Sequence, residues 1–437
     1  MKLSKLKSKL KEKRILILGF GREGRDSFLF LRKIFPNKIL GIADQKEFLI
    51  SNFQFPNTKL YLGKNYLKKI KDYDIVIKSP GIPFKILRTP DVRKITTQTA
   101  IFFSALGGPA SGGDNRIIGV TGTKGKSTTA YWIYQALKSG AALKGRASPQ
   151  KGRGTKVHLV GNIGKPVLTS LLKAKKDDIF VYELSSHQLY NLKRSPHIAV
   201  LLNIYHEHLD YYRSFKEYAT AKANITRYQT KRDYLIYNSQ DPLVRKIAEE
   251  SKAKKIPIQG KYYELNRAAA EAVARIFKVP MPKKLKFLPH RLEYVGKFKG
   301  IAFYNDSLST VPETAIEALD FLGNNVQTMI LGGFDRGLNF KKLAKRIAKS
   351  EVQTLILFPA TGKRIWQALT DLMDVRHPLN IMRHFFARDM EKAIKLAYKY
   401  TGGGKICLLS PASPSFGIFK DYADRGNTFK KFVKMLK

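Results

Sequence analysis

IIGVTGTKGKSTTAYW, Ile117 to Trp132, sets an apolar β-branched run before a glycine-rich turn and a stretch of helix formers. The common phosphate-binding loop reads G-x-x-x-x-G-K-[ST]. Here the position five before Gly125 is Val120, and the glycines stand at Gly119, Gly122 and Gly125. The chemistry survives the altered spacing. Glycines let backbone N–H groups wrap a phosphate, Lys126 reaches its β and γ positions, and Ser127 offers a hydroxyl to Mg2+. A strand, this loop and a helix make a β-α unit, so the stretch decides the fold: α/β, with a parallel sheet and the loop at its carboxyl edge.

Working towards the N-terminus, Arg14 to Gly21 reads as a buried strand, Arg25 to Phe35 has helical spacing, and KILGIAD is a second strand ending at Asp44. The pattern recurs at YDIVIKSPGIP from Tyr73. GFGREG, Gly19 to Gly24, fits G-x-G-x-x-G after a strand, with an acidic residue about twenty positions on. That pattern suits a dinucleotide, another phosphorylated ligand such as a UDP group, or a plain tight turn. A Gly/Ser/Pro linker, Gly107 to Asn115, closes this segment.

Working towards the C-terminus, Lys138 to Lys156 is glycine-rich and basic, and reads as a flexible surface insertion. KVHLVGN, DIFVYEL and IAVLLNI are strands covered on both faces, as in a parallel sheet. MPKKLKFLPHRLEYVG is an inter-domain passage, and GIAFYND, TMILGG, TLILFP and ICLLSP are strands of a last alternating segment. Three domains are expected: 1–110, 111–283 and 284–437, consistent with 437 residues at roughly 150 per domain.

Composition narrows the classes. Cys407 is the only cysteine, which excludes an internal disulfide and a cysteine zinc site. No apolar run approaches the ~18 residues of a membrane span, and ILILGFGREGRD, which follows the basic N-terminus, reads as a strand rather than a signal peptide, so a cytoplasmic protein is expected. Lys+Arg number 80 against 34 Asp+Glu, a formal charge of +46, which favours anionic partners or reflects a lysine-rich composition. The basic residues are spread along the chain.

Other stretches carry chemistry. Glu183 ends an apolar strand in VYELSSHQL, well placed for Mg2+, although a carboxylate there is often a solvated cap. NIYHEHLDYY gathers His206, Glu207, His208 and Asp210 after another strand, for metal or acid–base work or as plain loop residues. LGGFDRG and LLSPASPSFGIFKDYADRGN follow two strands of the last segment, where α/β proteins place ligands.

Together these stretches resemble the Mur ligase family, and within it the glutamate-adding branch. Its loop, G-x-x-G-T-x-G-K-[ST]-[ST], fits Gly119 to Thr128 throughout and accounts for the altered spacing. The resemblance recurs in family order over nearly the whole chain: GNIG-x-P from Gly161, ELSS-x-QL from Glu183, N-x-x-x-x-H-x-D from Asn203, PHR-x-E from Pro289, NDS from Asn305, GG-x-D-[RK]-G from Gly332, and LLSPA with RG-x-x-F ending at Phe429. It implies a Rossmann-like UDP-binding domain, a central P-loop ATPase with a parallel sheet, and a Rossmann-like C-terminal domain that closes over ATP and brings the amino acid. The implied reaction is ATP-dependent amide formation between UDP-N-acetylmuramoyl-L-alanine and glutamate through an acyl phosphate, in peptidoglycan synthesis. A monomer is expected.

The resemblance also implies roles. Gly122, Thr123, Lys124, Gly125, Lys126, Ser127 and Thr128 would hold ATP phosphates, with Asn266 near adenine and His290, Arg291 and Asp306 also on ATP. Ser127, Glu183 and His208 would bind one or two Mg2+ ions. Lys126, Glu183, His208 and Lys222 would be catalytic, Lys222 as a carbamate. Gly21, Asp44, Ser79 and Gly81 would form the UDP pocket, Asn162 and Gln188 would touch the muramoyl-alanine part, and Arg336, Ser415 and Tyr422 would hold glutamate.

Three departures stand out. Tyr262 and Tyr263 replace a His and an Asn before the adenine pocket. Leu308 replaces a lysine in NDSLSTVPE, which leaves D-glutamate, the branch default, open against L-glutamate. The basic segment 138–156 is longer than usual and suggests a dock on an anionic membrane face. Rival readings are a folylpolyglutamate-type ligase, disfavoured by the UDP-type unit before the loop, a basic P-loop ATPase acting on nucleic acid, supported only by charge, and an NAD enzyme, from GFGREG alone.

Overall fold

The computed structural model describes residues 3–47, 57–87, 94–106, 117–140, 155–175, 177–207, 211–372 and 382–437. His208, Asp210, the linker 107–115 and most of the basic segment 138–156 lie outside the described residues. The chain forms two compact units, Met1–Leu285 and Lys286–Lys437.

The first unit holds two parallel sheets. In the first, β1 (Ile15–Leu18), β2 (Leu40–Asp44), β3 (Thr58–Leu62), β4 (Ile75–Lys78) and β5 (Ile95–Thr97) lie in the order β3-β2-β1-β4-β5. Every pairing is parallel. Strand order reverses between β1 and β4, which opens a crevice at their carboxyl ends where a ligand fits. The turns entering it are Gly19–Gly24 and Ser79–Ile82. The Arg22–Ile34 helix begins at the first turn. Its Gly24 has to be glycine, because a Cβ there would sit 2.0 Å from Gly19 O.

The second sheet contains β6 (Ile117–Thr121), β7 (Val157–Gly161), β8 (Ile179–Glu183), β9 (Ile198–Leu201), β10 (Tyr234–Asn238) and β11 (Lys254–Ile258), ordered β11-β10-β9-β6-β8-β7. Here too every pairing is parallel. The central strands β6, β8 and β9 are buried at every position, as unbroken apolar runs require when helices cover both faces. The edge strand β11 exposes Lys254 and Lys255, charges that discourage further strand pairing.

One apolar helix, Gln98–Leu106, ties the two sheets together. Its Phe102 ring lies 5.1 Å from Phe180 and 5.5 Å from Tyr182, both edge-on. Seven of its nine residues are buried and Ser104 is exposed, and each such aromatic contributes about 2–3 kcal/mol of burial.

The second unit is a six-stranded sheet of β12 (Glu293–Phe298), β13 (Ile301–Asn305), β14 (Val326–Gly332), β15 (Thr354–Phe358), β16 (Arg383–Phe386) and β17 (Ile406–Leu409), ordered β12-β13-β17-β14-β15-β16. The strand β12 is antiparallel to β13 and the rest are parallel. This corrects the reading of 281–296 as passage throughout: its end, from Glu293, is already strand, and a two-residue hairpin at Lys299 and Gly300 folds it back onto the sheet. Among the described residues no helix is long and apolar enough to cross a membrane.

Candidate active site

The carboxyl edge of the second sheet gathers the loop after β6, Glu183 at the end of β8 and the chain after β9. Gly125 sits at φ +83° and caps the Lys126–Ser139 helix; a side chain there would strike Asn266 Oδ1 at 2.3 Å. Asn203, just beyond β9, braces the loop. Its Oδ1 accepts from Thr123 N at 3.0 Å and Lys124 N at 2.7 Å, and its Nδ2 donates to Lys124 O at 3.3 Å. Lys126 Nζ donates to Thr123 O at 2.8 Å, folded back on its own loop. Lys124 Nζ donates to Glu207 Oε1 at 3.2 Å.

Ser127 Oγ donates to Glu183 Oε1 at 3.1 Å, so the hydroxyl and carboxylate expected to share a metal ion stand together. Hard oxygens in such small number suit Mg2+, which keeps most of its water and takes the rest of its shell from phosphates. Among the described residues no group of three or more His, Cys, Asp or Glu side chains is placed to hold a metal ion. The long helix Phe215–Arg227 runs beneath the loop and buries Lys222, whose Nζ donates to Gly122 O at 2.7 Å. Burial, then the charge of Lys126, holds that amine well below its ordinary range. Asn266 is buried and accepts from Thr129 Oγ1 at 3.1 Å, which places it against the start of the loop helix.

At the first sheet, Asp44 Oδ2 accepts from Phe20 N at 2.6 Å and Ser79 Oγ donates to Gly19 O at 2.8 Å. Gly21 and Gly81 both face open space: a Cβ on either would meet no atom within 4 Å. Arg22 donates to Asn162 O at 2.9 Å and to Gly164 O, so this helix end touches the GNIG turn of the second sheet. Gln188 is fully engaged. Its Oε1 accepts from Ser185 N in a capping box, and its Nε2 donates to Glu23 Oε1 at 2.6 Å. Burial pushes the Glu23 carboxyl up to about 7, against the pull of that hydrogen bond.

In the second unit, His290, Arg291 and Asp306 lie together. His290 Nδ1 is 3.0 Å from Asn305 Nδ2, Asp306 accepts from Leu292 N at 3.1 Å and Ser410 Oγ at 2.9 Å, and burial raises Asp306 to about 6. Arg336 lies over the Phe416 ring at 5.7 Å, Ser415 is buried and Tyr422 is exposed. Sequence reasoning gave no role to Arg425. Wholly buried, it donates to Ser307 Oγ at 3.0 Å, Ser307 O at 2.9 Å and Ser413 O at 3.0 Å, pinning NDS to the SPASPS loop. Nor did it weigh Asn203, Glu23 or Lys78. The positions of Asn203 and Arg425 in their motifs carried a signal.

Comparison with known proteins places these features. The model of the Mur ligase middle domain matches residues 120–298. A UDP-N-acetylmuramoylalanine–D-glutamate ligase of Acetivibrio thermocellus is 30% identical over 100% of this chain and 99% of its own length. One from Thermosipho melanesiensis is also 30% identical, over 96% of this chain and 97% of its own. Among solved structures, UDP-N-acetylmuramate-alanine ligase MurC of Thermotoga maritima aligns with TM-score 0.55 at 15% identity, covering 98% of this chain and 100% of that one. MurF ligase of the same organism, in complex with ADP, aligns with TM-score 0.55 at 17% identity, covering 98% and 97%. These last two show the fold.

Proposed function

The chain belongs to the Mur ligase family, and on that premise we propose that it joins D-glutamate to UDP-N-acetylmuramoyl-L-alanine with ATP, in peptidoglycan synthesis. The observation that carries the reading is the meeting of Lys126, the Ser127–Glu183 pair and Lys222 around one glycine loop. A carboxylate is a poor acyl group at neutral pH, so it must be activated. Its oxygen attacks the γ-phosphorus of ATP and ADP leaves; the glutamate amine then attacks the acyl carbon, loses a proton, and phosphate departs. Two anions must meet in the first step. Lys126 and the loop N–H groups neutralise and orient the phosphates, with Gly122 to Thr128 as the cradle. Ser127 and Glu183 would hold Mg2+, joined by His208, and that ion would supply further positive charge at the phosphates.

Lys222 is read as a carbamate. A buried amine kept neutral is nucleophilic towards CO2, and the resulting anion would face Lys126. Gly21, Asp44, Ser79 and Gly81 are assigned to the UDP group and Asn162 to the muramoyl-alanine part. Gln188 joins them once it releases Glu23. Asn266, His290, Arg291 and Asp306 are assigned to ATP, and Arg336, Ser415 and Tyr422 to glutamate. The domains are taken as 1–110, 111–283 and 284–437, in a cytoplasmic monomer. Contact of segment 138–156 with anionic membranes is tested by deleting it and measuring liposome binding.

The deciding assay is phosphate release by the full chain with ATP, Mg2+ and UDP-N-acetylmuramoyl-L-alanine, adding D- and L-glutamate separately. Release with D-glutamate is expected. Release with L-glutamate alone would reassign the amino acid, and silence with both would sink the reading.

A further inference from the structure

Lys78, at the end of β4, is 1% exposed. Lysines are almost never buried this completely, since removing an ammonium from water costs several kcal/mol unless its charge and protons are used. Its protons are used on the turn that follows it: Nζ donates to Ser79 O at 3.0 Å and Ile82 O at 2.6 Å, and lies 4.6 Å from the centre of the Phe84 ring. The same turn is held from the second sheet, where the Tyr211 hydroxyl lies 2.9 Å from Pro80 O and 3.2 Å from Ile82 O. Three of the four carbonyl oxygens between Ser79 and Ile82 are therefore drawn towards an ammonium or a phenol. Carbonyl oxygens carry the partial negative charge that repels an anion. With these three occupied, the face of the turn at Gly81 is left open, with no atom within 4 Å of where a Cβ would be. Gly21, in the adjoining turn, is open in the same way, and Ser79 Oγ ties the two turns together through Gly19 O.

Resting on the reading above, we propose that Lys78 is a positioning residue for the diphosphate of the UDP-linked substrate. It folds the Ser79–Ile82 carbonyls away from the ligand and places a fixed positive charge behind the turn that receives it. The charge acts through the turn rather than by contact, because the ammonium is sealed from the crevice. A charge fixed in a site with little water stabilises an anion more than the same charge in solvent. Burial draws the Lys78 amine down to about 8, with Glu23 opposing, so the ammonium is retained at neutral pH. A methionine of similar length would fill the space with no desolvation penalty, and the penalty is accounted for if the charge serves an anionic ligand.

The test uses the full-length enzyme and its three substrates. Lys78→Met should raise the KM for UDP-N-acetylmuramoyl-L-alanine by about tenfold, leave the KM values for ATP and glutamate within about twofold, and leave Tm unchanged or higher. Lys78→Arg, which keeps the charge, should recover part of the loss. A lysine with only a structural role predicts the reverse: a lower Tm and an unchanged KM for the UDP compound, and that outcome overturns the proposal. If Lys78→Met does not fold, Tyr211→Phe removes the other brace without changing charge. A rise of about threefold in the same KM is expected, and no rise overturns the proposal. Wild-type protein that neither binds nor turns over the UDP compound would instead overturn the functional reading.

Discussion

Gly122–Gly125 after β6 and Gly19–Gly24 after β1 leave buried parallel strands where strand order reverses, and both turns run into helices. Their supports differ. The loop after β6 is held from behind by the Asn203 amide and by the buried Lys222 amine, while Lys126 and Glu183 sit beside it at the sheet edge. The turn after β1 sends its one cation, Arg22, across to the carbonyls of Asn162 and Gly164. Its other charges lie to the rear, where Glu23 grips Gln188, Asp26 accepts from Leu168 N at 2.9 Å, and Lys78 braces the neighbouring turn. Charge placed at a ligand is chemistry, and a motif spells it out. Charge placed behind a turn is scaffolding, and a motif is silent about it.

The largest effect should come from the side of the comparison where charge meets ligand. Lys126→Ala should lower ATP-dependent phosphate release by at least about a thousandfold, because a preorganised cation on the transferring phosphoryl group is among the largest catalytic contributions. Circular dichroism should be unchanged, since Lys126 lies on the loop at the sheet edge and donates to the loop carbonyl of Thr123 rather than to the sheet. Near-normal turnover in a folded variant would break the comparison at its stronger end.

How much of this was legible follows from the same distinction. The α/β class, the parallel central sheet, the loop and the Glu183 carboxylate could be read, because unbroken apolar strands and glycine turns are local signals. The edge strands Thr58–Leu62 and Arg383–Phe386 could not: half exposed and short, they lack the buried-strand pattern. Lys78 could not either. In sequence it is one of 80 basic residues, and in the fold its ammonium turns onto the Ser79 and Ile82 carbonyls beside the Phe84 ring. Gln188 was read as a substrate contact, but whether its amide is free depends on a glutamate 165 positions away.

The neutral brace should give a middle-sized effect. Asn203→Ala strips Lys124 N of its acceptor, while Thr123 N keeps the Asn203 backbone oxygen at 2.7 Å. One buried donor left unsatisfied costs about 1–3 kcal/mol, so the KM for ATP should rise about ten- to a hundredfold. Asn203→Asp preserves the acceptor and should recover most of that. A change confined to the UDP substrate would show that the two turns share their supports, and the contrast between them would dissolve.

The smallest effect belongs to the charge behind the first turn, and it is read as stability rather than rate. The Glu23 carboxyl titrates near 7 in the folded chain because burial opposes its ionisation, against an ordinary value of 4.5. Between those values the folded state holds more protons than the unfolded one, so stability falls as pH rises through the window. The contribution of the neutral carboxyl is fully present below about pH 4.5 and gone above about pH 7. Glu23→Gln keeps an acceptor for Gln188 and stays neutral at every pH. Its stability should therefore match the wild type near pH 4.5 and exceed it by about 3 kcal/mol near pH 8, measured by denaturant unfolding at both values. A difference that does not change with pH would mean that Glu23 titrates at its ordinary value and is ionised at neutral pH. The charge of Lys78 would then be neutralised from behind before any phosphate arrived, and the two turns would differ less than their hydrogen bonds suggest.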